Sequence, residues 1–335
     1  TLLSEYSAIQ LFMERVQAVM PDIVLSPENG ATIAQICARL DGLPLALELA
    51  AARVKMLSLE QLLERLLEAR LPVLIGGARN LPWKLQTLRN TFEWSFDLLS
   101  PVEQQSLTRL GIFSGGWSLE GAKAMMNYWA AVGEGIEQRA TTSGASKADS
   151  FPVSDVLEAL VDKSLLVWQK TAGGQVRFTM LETLREYVLA RLVAQGEYNQ
   201  LRDWHACYYL ALAEDAEEGL RGTTWLSDLV AEQENFRAAL EWSHQRATTG
   251  MVISSYVAPK KGASNEVIML NVQLSAIELL LRLAAALYSY WEWQGSISEG
   301  RKWLEAALKL PLADDPERAV LAARSKALCA AARFV

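Results

Sequence analysis

Histidine is nearly missing from this 335-residue chain, with only His205 and His244, and neither has ligand-type neighbours at helical spacing. A zinc site needs three or four such ligands, so none is expected, and no other metal set stands out. Cysteine is almost as rare: Cys37, Cys207 and Cys329 are far apart and form no Cys-x-x-Cys pair. Each sits among apolar helical neighbours, which reads as a small buried hydrophobe in a reducing, cytoplasmic setting. No apolar run approaches the ~18–20 residues of a membrane span, because charges interrupt every one. The start, Thr1-Leu2-Leu3-Ser4, has neither a basic segment nor a cleavage pattern, and it lacks an initiating Met. No signal peptide and no membrane are expected, and the chain reads as a piece of a longer protein.

Positive charge is short as well. The net charge is −7, and Lys+Arg against Asp+Glu is 6 to 9 in residues 1–75, 12 to 12 in 76–195 and 14 to 18 in 196–335. A nucleic-acid surface normally shows a basic patch, so nucleic acid is a disfavoured partner. The Gly-x4-Gly-Lys-Ser/Thr loop of NTPases is absent, and the Gly-Gly pairs starting at 76, 115 and 173 lack the following Lys. No Ser–His–Asp or Cys–His arrangement is suggested. Adjacent carboxylates such as Glu217 and Glu218 lie on a charged helix face, where solvation explains them. The chain by itself is not expected to be an enzyme.

What is present is helix. Apolar residues make up 51% and charged residues 21%, ordinary for a globular chain long enough for two or three domains. The run Asp41 to Val54, DGLPLALELAAARV, is the most informative stretch. Gly42 follows a helical pattern (Ile33, Ile36, Cys37, Leu40) and fits the left-handed position where helices stop. Pro44 suits the first residue of a new helix. Ala46, Ala50, Ala51 and Ala52 make that helix narrow. On chemistry alone the corner fits two readings, a packed helix–turn–helix and a helix N-terminus whose free N–H groups face a polar or anionic ligand.

Residues 1–75 read as a helical bundle, with Ala8, Leu11, Phe12, Val16 and Val19 at helical spacing and a Ser58/Gln61 capping box before Leu59–Ala69. Residues 76–85 read as a turn-rich linker. Residues 76–195 then look like a winged helix. Thr87–Leu98 is helical; Ser100, Pro101 and Glu103 supply N-cap, N1 and N3 of the next helix; Ser118 starts a third, through Met126. Residues 127–152 read as a long insertion. Ser154 is placed as the cap of a helix Asp155–Lys163. A hairpin follows from Leu165–Trp168 and Val176–Met180, the only sheet expected. The helix that would enter a groove carries Asp155, Glu158 and Asp162 against Lys163, and the wing offers only Lys170 and Arg177, a poor match to phosphate. From 196 onward paired helices are expected, interrupted by an insertion at 247–275. Gly295, Gly300, Leu304 and Ala307 have tetratricopeptide-type spacing, with Pro311 near the expected end.

Taken together, GLPLALELAAARV, QTLRNTFEWSFDLLSPVEQ (Gln86–Gln104), LVDKSLL (Leu160–Leu166) and FTMLETLREYV (Phe178–Val188) resemble the NB-ARC module of STAND signalling ATPases. The bacterial LuxR-like and SARP-like transcriptional regulators are the nearest match in kind. The resemblance implies a mainly α fold: an ARC-like helical subdomain (1–75), a winged helix with one β-hairpin (76–195) and TPR-like repeats (196–335). It implies a regulatory segment of a nucleotide-switched regulator, with ADP or ATP held in the full-length parent. Gly42, Leu43, Pro44 and Leu45 match the motif beside the nucleotide. The winged-helix Met-His-Asp motif is matched in part: Met180 is kept, Leu181 stands where His is usual, and Glu182 replaces Asp. Leucine cannot donate a hydrogen bond to phosphate; Glu182 can cap the following helix, and Arg185, one turn on, is an alternative phosphate partner. Implied partners are an NTPase core on the same parent chain and a protein or small ligand on the repeats, with self-association on switching left open. A winged-helix DNA-binding repressor and a non-switching repeat scaffold are the alternatives.

Overall fold

The computed structural model describes residues 6–40, 42–68, 92–137, 152–171, 174–218, 229–249, 252–253, 256–259, 267–270, 274–312 and 316–334. They are mainly helical. The linker expected at 76–85 lies outside them. Two compact units form, one from residues 1–108, 148–168 and 180–188, the other from 109–147, 169–179 and 189–335.

In the first unit, α1 (Ser7–Val19), α2 (Gly30–Arg39), α3 (Pro44–Ala52) and α4 (Leu59–Glu68) build one core. Phe12 and Val16 from α1, Ile33 and Ile36 from α2, Ala46, Leu47 and Ala50 from α3, and Leu62 from α4 are fully enclosed in it. The turn before α3 also lies close to α1, since a Cβ added at Gly42 would sit 3.5 Å from that of Ala8. Ser58 and Gln61 form the reciprocal cap before α4, at 3.0 and 3.2 Å. A short helix over 92–97, α5, brings Trp94 into this core. Then α6 (Pro101–Leu110) opens with Glu103 Oε2 accepting from the Ser100 N–H at 2.8 Å.

Helix α8 (Val153–Asp162) starts two residues earlier than the sequence suggests. Its N-cap is Pro152, whose extended backbone accepts from the Asp155 N–H at 2.9 Å. The Ser154 hydroxyl instead donates to Asp155 Oδ1 at 3.2 Å, so Ser154 is not the cap. Asp155, Glu158 and Asp162 are exposed, a solvated acidic face.

In the second unit, β1 (Trp117–Ser118), β2 (Val167–Lys170) and β3 (Val176–Thr179) form a sheet in the order β1-β3-β2. The hairpin of β2 and β3 is the expected wing; β1 joins it antiparallel, Trp117 opposite Phe178. Two residues long, β1 shows no alternation that could announce it. Helix α7 (Leu119–Glu137) begins after Ser118, whose hydroxyl accepts from the Gly121 N–H at 3.1 Å. It runs past Met126 into the stretch read as an insertion, because Tyr128 is buried and stacks on Trp204 at 5.8 Å. Residues 138–151 of that stretch lie outside the described ones.

Helix α9 (Glu182–Ala194), which runs across the division between the units, is followed by α10 (Tyr198–Glu218) and α11 (Gln233–Thr248). Where an insertion between helices was expected, the described residues form β4 (Val252–Ile253) against β7 (Leu274–Ser275) and β5 (Tyr256–Pro259) against β6 (Val267–Leu270), both antiparallel. The array continues with α12 (Ala276–Ala286), α13 (Tyr288–Gln294), α14 (Ile297–Lys309) and α15 (Arg318–Arg333). Gly295 ends α13 at φ +75°, and a Cβ on Gly300 would fall 2.7 Å from the Trp291 ring. Leu304 and Ala307 are fully buried, so the small-large-small spacing reads out directly as close helix packing. No helix among the described residues is long and apolar enough to cross a membrane.

Candidate functional site

The turn between α2 and α3 follows from two residues. Gly42 takes φ +64°, a region that costs other residues ~1–2 kcal/mol, and its N–H donates to Cys37 O at 3.0 Å. Leu43 is extended as N-cap, and Pro44 stands exposed at the first position of α3. Pro44 brings no N–H, and the Leu47 N–H already bonds Leu43 O at 3.0 Å. The backbone N–H groups of Leu45 and Ala46 are therefore the helix-end donors that face outward along the axis. This corner suits a polar or anionic edge and carries no acid–base chemistry.

The second corner lies at the start of α9, in the same compact unit. The helix begins at Glu182 with Leu181 before it, and Leu181 O accepts from the Arg185 N–H at 2.8 Å. Glu182 does not serve as the cap. Its carboxylate takes the Nε and Nη2 edge of Arg185 at 2.9 and 2.7 Å. That hydrogen bonding holds the Glu182 carboxyl below the usual carboxylate value, against a smaller opposing effect of burial. Met180 is half-buried, and Leu181 is 42% exposed. The fit to a nucleotide is thus uneven. The Gly42–Pro44 corner offers backbone donors, whereas Leu181 offers none and Arg185 gives its bidentate edge to Glu182.

Helix α5 touches both the end of α3 opposite the Gly42 corner and the body of α9. At the far end of α3, Arg53 Nη2 donates to Ser95 O of α5 at 3.2 Å. On the same α5, Phe92 and Phe96 each lie 6.1 Å, centroid to centroid, from Tyr187 of α9. Below them, Glu103 is bonded to Lys163 at the end of α8, so α6 and α8 are tied by a half-buried ion pair. Sequence reasoning brought forward residues 42–45 and 180–185 but passed over Arg53, Ser95 and Tyr187. A side chain's partner dozens of residues away leaves no mark on its neighbours.

The second unit contains a buried polar cluster that also went unread. Asn235 is fully buried; its Oδ1 accepts from the Ser114 N–H at 2.7 Å, and its Nδ2 donates to Gly116 O at 2.8 Å and Glu232 Oε2 at 2.7 Å. His205 Nε2 lies 3.2 Å from Asn235 Oδ1. Glu232 also accepts from Tyr209 Oη at 2.8 Å and pairs with Arg177 of β3. Burial first, then the neighbouring Glu232 charge, pushes the Tyr209 hydroxyl well above its ordinary pKa. Arg177, read from sequence as a wing cation, is therefore buried and neutralised, and Lys163 is likewise taken. No group of three or more metal-ligating side chains occurs among the described residues.

No protein-family profile matches the chain. Among curated proteins, it is 32% identical over 306 residues to a Mycobacterium tuberculosis protein provisionally named an HTH-type transcriptional regulator. The match covers 90% of this chain and 29% of that protein. A Mycobacterium bovis protein of the same description matches equally well. An uncharacterized M. tuberculosis protein is 36% identical over 192 residues, 57% of this chain and 44% of its own length. The chain thus spans 29% of the length of the regulators it matches.

Proposed function

We propose that the chain is a regulatory segment of a transcriptional regulator switched by a nucleotide. The Gly42–Leu45 corner borders the base and sugar of ADP or ATP held by another part of the parent protein. The start of α9, with Met180, Glu182 and Arg185, lies toward the phosphates. The helical array receives a protein or small ligand. The segment itself hydrolyses nothing, having no phosphate-binding loop in its sequence. The bound nucleotide would supply polyanionic charge, and this chain's part is to orient it with backbone N–H groups and one guanidinium.

The observation that carries this reading is that residues 42–45 and 180–185 fall in one compact unit. The names of the mycobacterial relatives support the transcriptional side of it. Calorimetric titration of ADP into the parent protein tests it. Pro44→Ala and Arg185→Ala should each weaken binding, by about fivefold if one contact worth ~1 kcal/mol is lost. Affinities equal to the unsubstituted protein would overturn it. Direct DNA reading by the wing is disfavoured because Arg177 and Lys163 are already paired and the α8 face is acidic. Salt-dependent retardation of duplex DNA by this chain would reverse that judgement.

A further inference from the structure

Arg53 is among the largest fully enclosed side chains, 1% exposed, yet its guanidinium makes a single hydrogen bond, Nη2 to Ser95 O at 3.2 Å. Its Nε and Nη1 have no partner, and neither has the hydroxyl of Ser95, itself 0% exposed. Two side chains joined through the Ser95 carbonyl therefore leave three buried polar atoms unanswered. Native proteins answer nearly all such groups with protein, water or an ion.

Charge narrows the choice. Burial lowers the Arg53 pKa to about 10, so the group stays charged at neutral pH; nearby Glu103 supports the charge without a hydrogen bond to it. That carboxylate is committed: Oε1 to Lys163 and Oε2 to the Ser100 N–H. The enclosed Arg53 and the half-buried Lys163 thus share one carboxylate. The neighbouring sequence 69–91 contains no Asp or Glu that could supply another. A water molecule would satisfy the N–H groups and leave the positive charge uncompensated, which is the expensive part of burying an ion.

We propose that Arg53 and the Ser95 hydroxyl hold a small monovalent anion of chloride size in the seam between α3 and α5. Phosphate is unsuited, because a side chain exposed by 1% leaves little room for a large oxyanion. The site is separate from the Gly42 corner, at the opposite end of α3, and does not depend on the nucleotide reading. Among the described residues of the seam it neutralises the Arg53 charge, which no carboxylate meets by a hydrogen bond, and it ties the end of α3 to α5.

The test uses the chain in sodium chloride, bromide or gluconate at one ionic strength. Thermal and urea unfolding should show stabilisation by chloride and bromide over gluconate. Each tenfold rise in halide above its dissociation constant should favour the folded state tenfold. Arg53→Met should abolish the halide dependence, and Ser95→Ala should move it to higher concentration. Should Arg53→Met fail to fold, crystals of the unsubstituted chain grown in bromide decide the matter. An anomalous peak beside Arg53 Nη1 and Ser95 Oγ supports the site. Bromide at surface positions alone, a water at that place, or equal stability in halide and gluconate overturns it.

Discussion

Replacing Asn235 by alanine should be among the most damaging single changes in the second unit. The side chain is fully buried and serves four partners: the Ser114 N–H, Gly116 O, Glu232 Oε2 and His205 Nε2. Alanine would leave at least the Ser114 N–H and the Gly116 carbonyl without their bonds in a place water reaches poorly. Each buried orphan costs about 1–3 kcal/mol, so a total of about 3–5 kcal/mol is expected. Whole-domain stability is only ~5–15 kcal/mol. Urea unfolding followed by tryptophan fluorescence should show the midpoint of this unit falling on the order of 1 M. Asn199→Ala, at an exposed position on α10, should stay within ~0.5 kcal/mol and serves as the control. Asn235→Asp keeps the shape but cannot donate to Gly116 O, and it sets a second carboxylate beside Glu232. It should be as harmful at neutral pH and partly recover in acid. A loss below ~1 kcal/mol for Asn235→Ala would refute the reasoning, since the cluster would then be answered by water.

Two glycines separate backbone strain from crowding. At Gly174, φ is +80° and an added Cβ meets nothing within 4 Å, so Gly174→Ala should cost only ~1–2 kcal/mol. At Gly116, φ is +99° and the Cβ would fall 2.7 Å from Phe178 O, so Gly116→Ala should cost clearly more; equal thermal shifts would refute the clash. Acid sensitivity should trace in part to Glu103. Burial alone would raise its pKa, but hydrogen bonds from Lys163 and Ser100 prevail and lower it from 4.5. Its stabilisation is therefore present above that value and lost as pH falls through the lower folded-state value. Glu103→Gln should flatten the dependence of melting temperature on pH below about 5, and parallel curves for the two proteins would count against the ion pair.

Local chemistry was legible in the sequence. The Ser58/Gln61 and Ser100/Glu103 caps, the Gly42–Pro44 corner and the close-packing Gly300, Leu304 and Ala307 all depend on residues within a turn or two of one another. The hairpin was legible because Gly173-Gly174 separates two apolar runs. Distance in sequence hid the rest. Arg177 alternates like an exposed strand cation, and only Glu232, 55 residues on, buries it. Strand β1 exists because Trp117 meets Phe178. Helix α7 outruns its local pattern because Trp204 waits for Tyr128. Ser154 had the right composition for a cap but the wrong place, since Pro152 sets the first turn. At the candidate site the same rule holds: the two corner motifs were visible, and the Arg53–Ser95 and Phe96–Tyr187 contacts of α5 were not.

Asn235 sits 121 residues after Ser114, the loop residue whose amide it receives. A ribosome adding about 5–20 residues per second reaches it roughly 6–24 s after the loop is made. Throughout that interval the Gly115-Gly116 turn exists as nascent chain without the side chain that closes on it, and Arg177, made about halfway through, waits for Glu232. Completion of this joint is therefore timed by translation. A pause or truncation before residue 232 would leave Arg177 without the carboxylate that neutralises it.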